Sequence, residues 1–278
     1  DETTIRATFG ILQYSLQLTT DFKDNQIQFL VYENSSTAPT TSSLFDAGTN
    51  LKVQVSLPAD SYAFEGYYVK DGQDFALVSQ NIEYEFQIYA HTTLFVKLKA
   101  YVTARLPVNG TVSIDGVVLQ NDLHFACDYE QKIDVLAKPN IGYNFVGWGN
   151  NLGFSTAEGQ IVVNGPKIVE AHFARKKVNV QISAGSNGTI TSQSSSSGNN
   201  YVIGDVITLV AEANTGYHFE KYEGTFGEHW ENVQNTTYTI LAEDAERGTL
   251  KFVATFAIDM FDVLITSNEG GKVNPVGL

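Results

Sequence analysis

Cysteine is nearly absent: Cys127 is the single one in 278 residues, so no disulfide can form within the chain and a disulfide-stapled scaffold is excluded. Basic side chains are also short in number, 17 Lys and Arg against 31 Asp and Glu, leaving a net charge of −14. That field repels phosphate backbones and anionic headgroups, so neither nucleic acid nor an anionic membrane surface is an expected partner. The acidity reads as solubility of a surface-exposed chain. No run approaches the roughly 20 apolar residues of a membrane helix, so direct membrane insertion is not expected of these residues. No segment sustains an i, i+3, i+4 apolar pattern over three turns, which excludes long helices and leaves room for one short helical turn per unit. Gly-x-Ser-x-Gly, Walker and dinucleotide fingerprints are lacking, and so is the calcium-loop pattern, so no catalytic, cofactor-binding or metal residues are assigned.

Apolar residues make up 43% of the chain and aromatics 12%, too much for a disordered tail. The aromatics recur in order. Pro139-Asn140-Ile141-Gly142-Tyr143-Asn144-Phe145-Val146-Gly147-Trp148 has one copy upstream, Pro58 to Tyr67, and one downstream, Ala213 to Tyr222. Their leading tyrosines, Tyr62, Tyr143 and Tyr217, are spaced by about one small domain, so the chain is a tandem array of about three units of roughly 80 residues.

The third unit shows the grammar. Val178, Val180 and Ile182 alternate with polar residues, as in a half-buried strand. Asn187-Gly188 follows, expected as a two-residue hairpin turn with positive φ at both positions, and Asn109-Gly110 repeats it in the second unit. Each Asn-Gly-Thr is also a glycosylation sequon, but hairpin geometry already accounts for it. The strand Val206–Ala211 leads to Tyr217 and Phe219, and the change of parity to Tyr222 signals a bulge after Phe219. A closing strand ends the units on Phe256, Phe173 or, in the first, Leu98. The first unit departs most. It lacks Asn-Gly, its Asn34–Ser43 stretch reads as a loop, and Val53 and Val55 fall one residue out of phase with Ile133 and Val135. Ser192–Asn200 reads as a flexible hairpin tip, and the short junctions at Lys99-Ala100 and Arg175–Lys177 imply neighbours at restricted angles.

Candidate sites are sparse. The anchors Tyr62, Phe64, Tyr143, Phe145, Trp148, Tyr217, Phe219 and Tyr222 are read as structural, because packing requires recurrence at the same place; a sugar-stacking platform is the rival reading. Phe226, His229 and Trp230 form an aromatic loop read as a possible ligand-binding loop. No histidine pairs with another or with Cys127 at metal spacing, Cys127 reads as a partly buried strand residue, and Glu243–Glu246 reads as a solvated turn.

The Pro-x-x-Gly-Tyr-x-Phe-x-Gly-Trp motif at 139–148, the Asn-Gly turns and the Ala-x-Phe closing strands resemble the bacterial B-repeat family, in particular divergent relatives of the internalin B repeat. The resemblance covers nearly all of 101–278 and, more weakly, 11–100; the third unit has Ala213 and Tyr222 in place of Pro139 and Trp148. It implies a mainly β chain, a tandem array of small β-rich domains, β-grasp-like or small sandwiches, forming an elongated rod. It further implies an extracellular, cell-surface or secreted location and no catalytic residues. The expected segments are residues 1–10 as the last strand of a preceding repeat, 11–100 as a diverged repeat, 101–176 and 177–258 as repeats, and 259–278 as the start of a following one. The expected function is a non-catalytic stalk or spacer. The alternative is a carbohydrate- or protein-binding array using loop aromatics, in which repetition gives avidity. Expected partners are the neighbouring repeats, with a glycan or surface protein as the external one.

Overall fold

A computed structural model describes residues 10–71, 74–150, 152–194, 196, 200–225, 230–231 and 235–272. The closing-strand motif expected at Thr3–Phe9 lies outside the described residues. The chain is a mainly β tandem array. Its first repeat contains β1 (Gln13–Thr19), β2 (Gln28–Glu33), β3 (Leu44–Asp46), β4 (Asn50–Ser56), β5 (Tyr62–Asp71), β6 (Asp74–Ser79), β7 (Glu83–Gln87) and β8 (Thr92–Ala104). Period-two burial is fullest in β8, where Leu94, Val96, Leu98, Ala100, Val102 and Ala104 all face inward.

These strands form two sheets. One has the order β3-β1-β8-β5-β6, with β1 parallel and β5 antiparallel to β8; the other is β2-β4-β7. Leu51, Val53 and Val55 of β4 are buried between them, and Tyr67 of β5 stacks with Tyr84 of β7 at 5.9 Å. A parallel pair needs a crossover, and here the body of the repeat serves as one.

The second repeat adds β9 (Gly110–Ile114), β10 (Val117–Val118), β11 (Leu123–Cys127), β12 (Lys132–Pro139), β13 (Tyr143–Trp148), β14 (Glu158–Val162), β15 (Lys167–Val169) and β16 (Ala171–Arg175). It has no opening strand of its own. The last residues of β8 serve, taking β11 antiparallel and β15 parallel, with Lys167 opposite Val102. The Lys99-Ala100 junction therefore lies inside one continuous strand. The second sheet is β10-β9-β12-β14, and β13 pairs with β16.

In the third repeat, β17 (Asn179–Ala184), β18 (Gly188–Ser194), β19 (Val206–Ala213), β20 (Tyr217–Gly224), β21 (Trp230–Glu231), β22 (Asn235–Thr239), α1 (Ala242–Arg247) and β23 (Thr249–Ile258) repeat the plan. The order β17-β23-β20-β21 faces β18-β19-β22, with β17 parallel to β23. The anchor strand slips its register after Phe219, and β5 slips after Phe64, which is the bulge read from the parity change. Close contacts divide the chain into two units, Asp1–Lys138 with Phe145–Phe173, and Pro139–Asn144 with Ala174–Leu278.

Several local expectations change. The Asn-Gly motif is not a hairpin turn: β17 and β18 belong to different sheets, and only Asn109 (φ 67°) and Asn187 (φ 74°) take positive φ. The motif turns the chain from one sheet to the other. Glycine is needed there for space, since a Cβ on Gly188 would overlap the Phe256 ring and one on Gly110 the Phe173 ring. In the first repeat Leu98 replaces the closing phenylalanine, opposite Phe64 as Phe256 is opposite Phe219, and the Asn-Gly is missing too.

The one-residue phase offset of the first repeat is absorbed in a turn. Leu51, Val53 and Val55 match Ile133, Val135 and Ala137, and the extra residue lies between Val55 and Tyr62.

Glu243–Glu246 is not a solvated turn; it lies in α1, and Asp244 is 1% exposed. Its Oδ2 accepts from the Tyr238 hydroxyl at 2.7 Å and from the Leu241 N–H at 2.9 Å, and its Oδ1 from Arg247 Nη1 at 3.2 Å. A carboxylate at the third helical position that caps the leading N–H stabilises so short a helix, and Gly248 at φ 72° ends it.

Ser192–Asn200 is in part the connection between paired β18 and β19, with residues 195 and 197–199 outside the described set. Residues 259–272 form no strand, and Phe261, Val263 and Leu264 are exposed. The matching strand of the third repeat, β17, is held in parallel by β23, about 70 residues later in its own repeat.

Candidate functional site

The recurring aromatics occupy matching places. Tyr62 is buried against Phe22 at 5.2 Å and donates its hydroxyl to Asp24 Oδ2 at 2.7 Å. Burial, and then the Asp24 carboxylate, hold that phenol well above its usual range. Three residues beyond each anchor phenylalanine stands a second ring: Tyr67 beside Phe64 at 5.0 Å, Trp148 beside Phe145 at 5.4 Å, and Tyr222 beside Phe219 at 4.8 Å. Tyr67 and Tyr222 are fully buried, and burial pushes the Tyr222 hydroxyl up to about 12. Trp148 is half-buried, with Phe154 at 6.2 Å and its Nε1 donating to the Thr156 carbonyl at 2.8 Å. Tyr143 and Tyr217 are half-buried at the starts of their strands.

Of the expected ligand loop, Phe226 and His229 lie outside the described residues, and Trp230 begins β21 opposite Tyr222. Cys127 is fully buried on β11 opposite Ala100, and burial, then Asp128 and Asp115, raise its thiol. The described histidines sit apart. His91 Nδ1 lies 2.9 Å from Ser15 Oγ, His124 stacks on Tyr101 at 4.3 Å, and His218 Nδ1 is 2.9 Å from Asp259 Oδ1. Among the described residues no group of three or more histidine, cysteine or carboxylate side chains is placed to hold a metal ion, and no helix is long and apolar enough to cross a membrane.

Within the second compact unit, the turn Pro139–Asn144 is tied to α1. Glu246 Oε1 accepts from the Gly142 N–H at 2.7 Å and Oε2 from Lys176 Nζ at 2.6 Å, while Lys176 N–H reaches the Gly142 carbonyl at 2.9 Å. Lys176, and then the Gly142 N–H, hold the Glu246 carboxyl below its usual range.

Sequence reasoning missed a cleft in the first repeat. The outward residues of β2, β4 and β7 stand in cross-strand rows, with Tyr32 opposite Lys52 and Lys52 opposite Glu85, and Asn50 opposite Gln87. With the loop after β2 they line an open cleft of about 790 Å³. The only available signal was the polar parity of three short segments, which no local motif joins.

The divergent InlB B-repeat domain model matches residues 106–177 and again 178–257. No curated protein matches the chain. Among solved structures, a mutant major pilin of Streptococcus pyogenes is 7% identical, covering 89% of this chain and 99% of that one with a TM-score of 0.17. The T-13 major pilin of Streptococcus pyogenes is 9% identical, covering 91% and 98%, with a TM-score of 0.18. Likeness at that level carries no architectural argument.

Proposed function

The chain belongs to the divergent InlB B-repeat family, and from that premise we propose that it is a non-catalytic spacer in a bacterial extracellular or cell-surface protein. The observation that carries the reading is the two-sheet plan common to the first and third repeats, together with an aromatic anchor pair packed in the same place in all three. Strand β8 adds to it. A ladder running from one repeat into the next joins them by backbone hydrogen bonds rather than by a flexible linker, as a spacer that transmits force requires. Its work is to hold a binding, catalytic or anchoring module away from the surface.

Solution scattering tests this. A compact chain of 278 residues has a radius of gyration of roughly 19 Å. The spacer reading expects a value well above that, and a value near it contradicts the reading.

A further inference from the structure

We propose that the cleft on the outer face of the β2-β4-β7 sheet binds an uncharged hexopyranose glycan. The inference goes beyond the spacer reading and does not depend on it. The volume, about 790 Å³, is within the range of small-ligand clefts. The central floor strand β4 is paired on both sides, with β2 and with β7, so recognition over it falls to side chains. Those available suit a hydroxyl-rich ligand. Asn50 offers an amide donor and acceptor, Gln87 an Nε2 donor beside an Oε1 that accepts from the Tyr89 hydroxyl at 3.1 Å, Glu85 an acceptor, and Lys52 a donor seated over one face of the half-buried Tyr32 ring.

The cleft is preformed. Lys52 Nζ lies 4.6 Å from the Tyr32 ring centroid and 3.9 Å from a Glu83 carboxylate oxygen, which holds lysine and ring together. The loop above turns through Asn34 (φ 46°) and Ser35 (φ 62°), with the Ser36 N–H on the Glu33 carbonyl at 2.8 Å and the Ser36 hydroxyl on the Ala38 carbonyl at 2.9 Å. Little ordering cost remains for a ligand to meet.

Charge selects the class. Lys52 is matched by Glu83 and Glu85, so the cleft has no surplus of positive charge, and the net −14 of the chain opposes an anionic glycan. An extended peptide is a poorer fit, since it recognises a sheet by adding to an edge rather than by lying on a face. The second repeat supplies an internal contrast. There Asp134 stands where Lys52 does and Gln160 where Glu85 does, and Gln160 Nε2 donates to Asp134 Oδ1 at 2.8 Å, engaging the two groups with each other over a smaller hollow of about 450 Å³.

The test is saturation-transfer NMR of the full chain with neutral, sialylated and sulfated oligosaccharides. The expected result is binding of neutral hexopyranose oligosaccharides, weakened at least tenfold by Tyr32→Ala and by Gln87→Ala and unchanged by Asp134→Ala. Gln87 is exposed, so its variant removes a ligand contact without removing core, and circular dichroism checks both folds. The proposal is overturned by no binding of neutral oligosaccharides at millimolar concentration, by binding confined to anionic ones, or by affinity that survives both substitutions.

Discussion

Gly188→Ala tests the corner between sheets. In an ordinary strand position this change stabilises by about 0.5–1 kcal/mol, because alanine loses less backbone entropy on folding. Here a Cβ would overlap the Phe256 ring, which lies edge-on to Phe219 at 6.2 Å and is packed against the third-repeat core. The ring must move, and overpacking of that kind costs about 1–3 kcal/mol. The two effects oppose and leave a net loss of about 0–2.5 kcal/mol, centred near 1 kcal/mol. Phe256→Leu by itself costs about 1 kcal/mol. The double variant reproduces the first repeat's use of Leu98 without the Asn-Gly, and it recovers about 1 kcal/mol relative to the sum of the singles. Urea-dependent hydrogen exchange of peptides covering Gly188–Ser194 reads all three. A Gly188→Ala protein at least as stable as the parent, or strictly additive singles, refutes the steric account.

Asp244→Ala should destabilise the third repeat by about 2–4 kcal/mol, because it removes a buried charge-assisted hydrogen bond to the Tyr238 hydroxyl and the cap of the Leu241 N–H; urea unfolding measures it, and a change under 0.5 kcal/mol contradicts the assignment. The contribution of Glu246 depends on pH. Its folded pKa is depressed, so the stabilisation is full above the unfolded value near 4.5 and is lost as pH falls through the lower folded value. Stability curves from pH 6 to 3 should therefore fall less steeply in Glu246→Gln than in the parent, and parallel curves contradict a stabilising role for the Glu246 contacts with Gly142 and Lys176. Trp148→Ala should cost about 2–3 kcal/mol, below the loss for a fully buried ring, since the indole is half-exposed but holds Thr156 and packs on Phe145 and Phe154. Thermal unfolding followed by circular dichroism checks it.

Much of the strand content was legible because period-two burial is a local property: Val53 and Val55, Ile133 and Val135, and Ile207 and Leu209 are buried where alternation places them. The bulge after Phe219 was legible for the same reason. Asn-Gly misled because the turn preference of Asn187 is local, whereas the sheet joined by the following strand is set by partners such as Ala213, opposite Gly188. The parallel pairing of opening and closing strands brings Asn179 to Thr249, a separation no local pattern reports. Glu243–Glu246 looks solvated until Tyr238 is known to lie over Asp244. The cleft was hidden likewise, since Tyr32, Lys52 and Glu85 meet only through two strand registers.

The sharing of β8 is the point on which the account of the array turns, because one strand carries β1 and β5 of the first repeat and β11 and β15 of the second. Native-state hydrogen exchange across a urea series measures it directly. Protection of Tyr62–Asp71, Thr92–Ala104 and Leu123–Cys127 should be lost at one urea concentration, as a single cooperative unit. Loss of protection in Leu123–Cys127 while Tyr62–Asp71 remains protected would show that the two repeats fold independently and contradict the account.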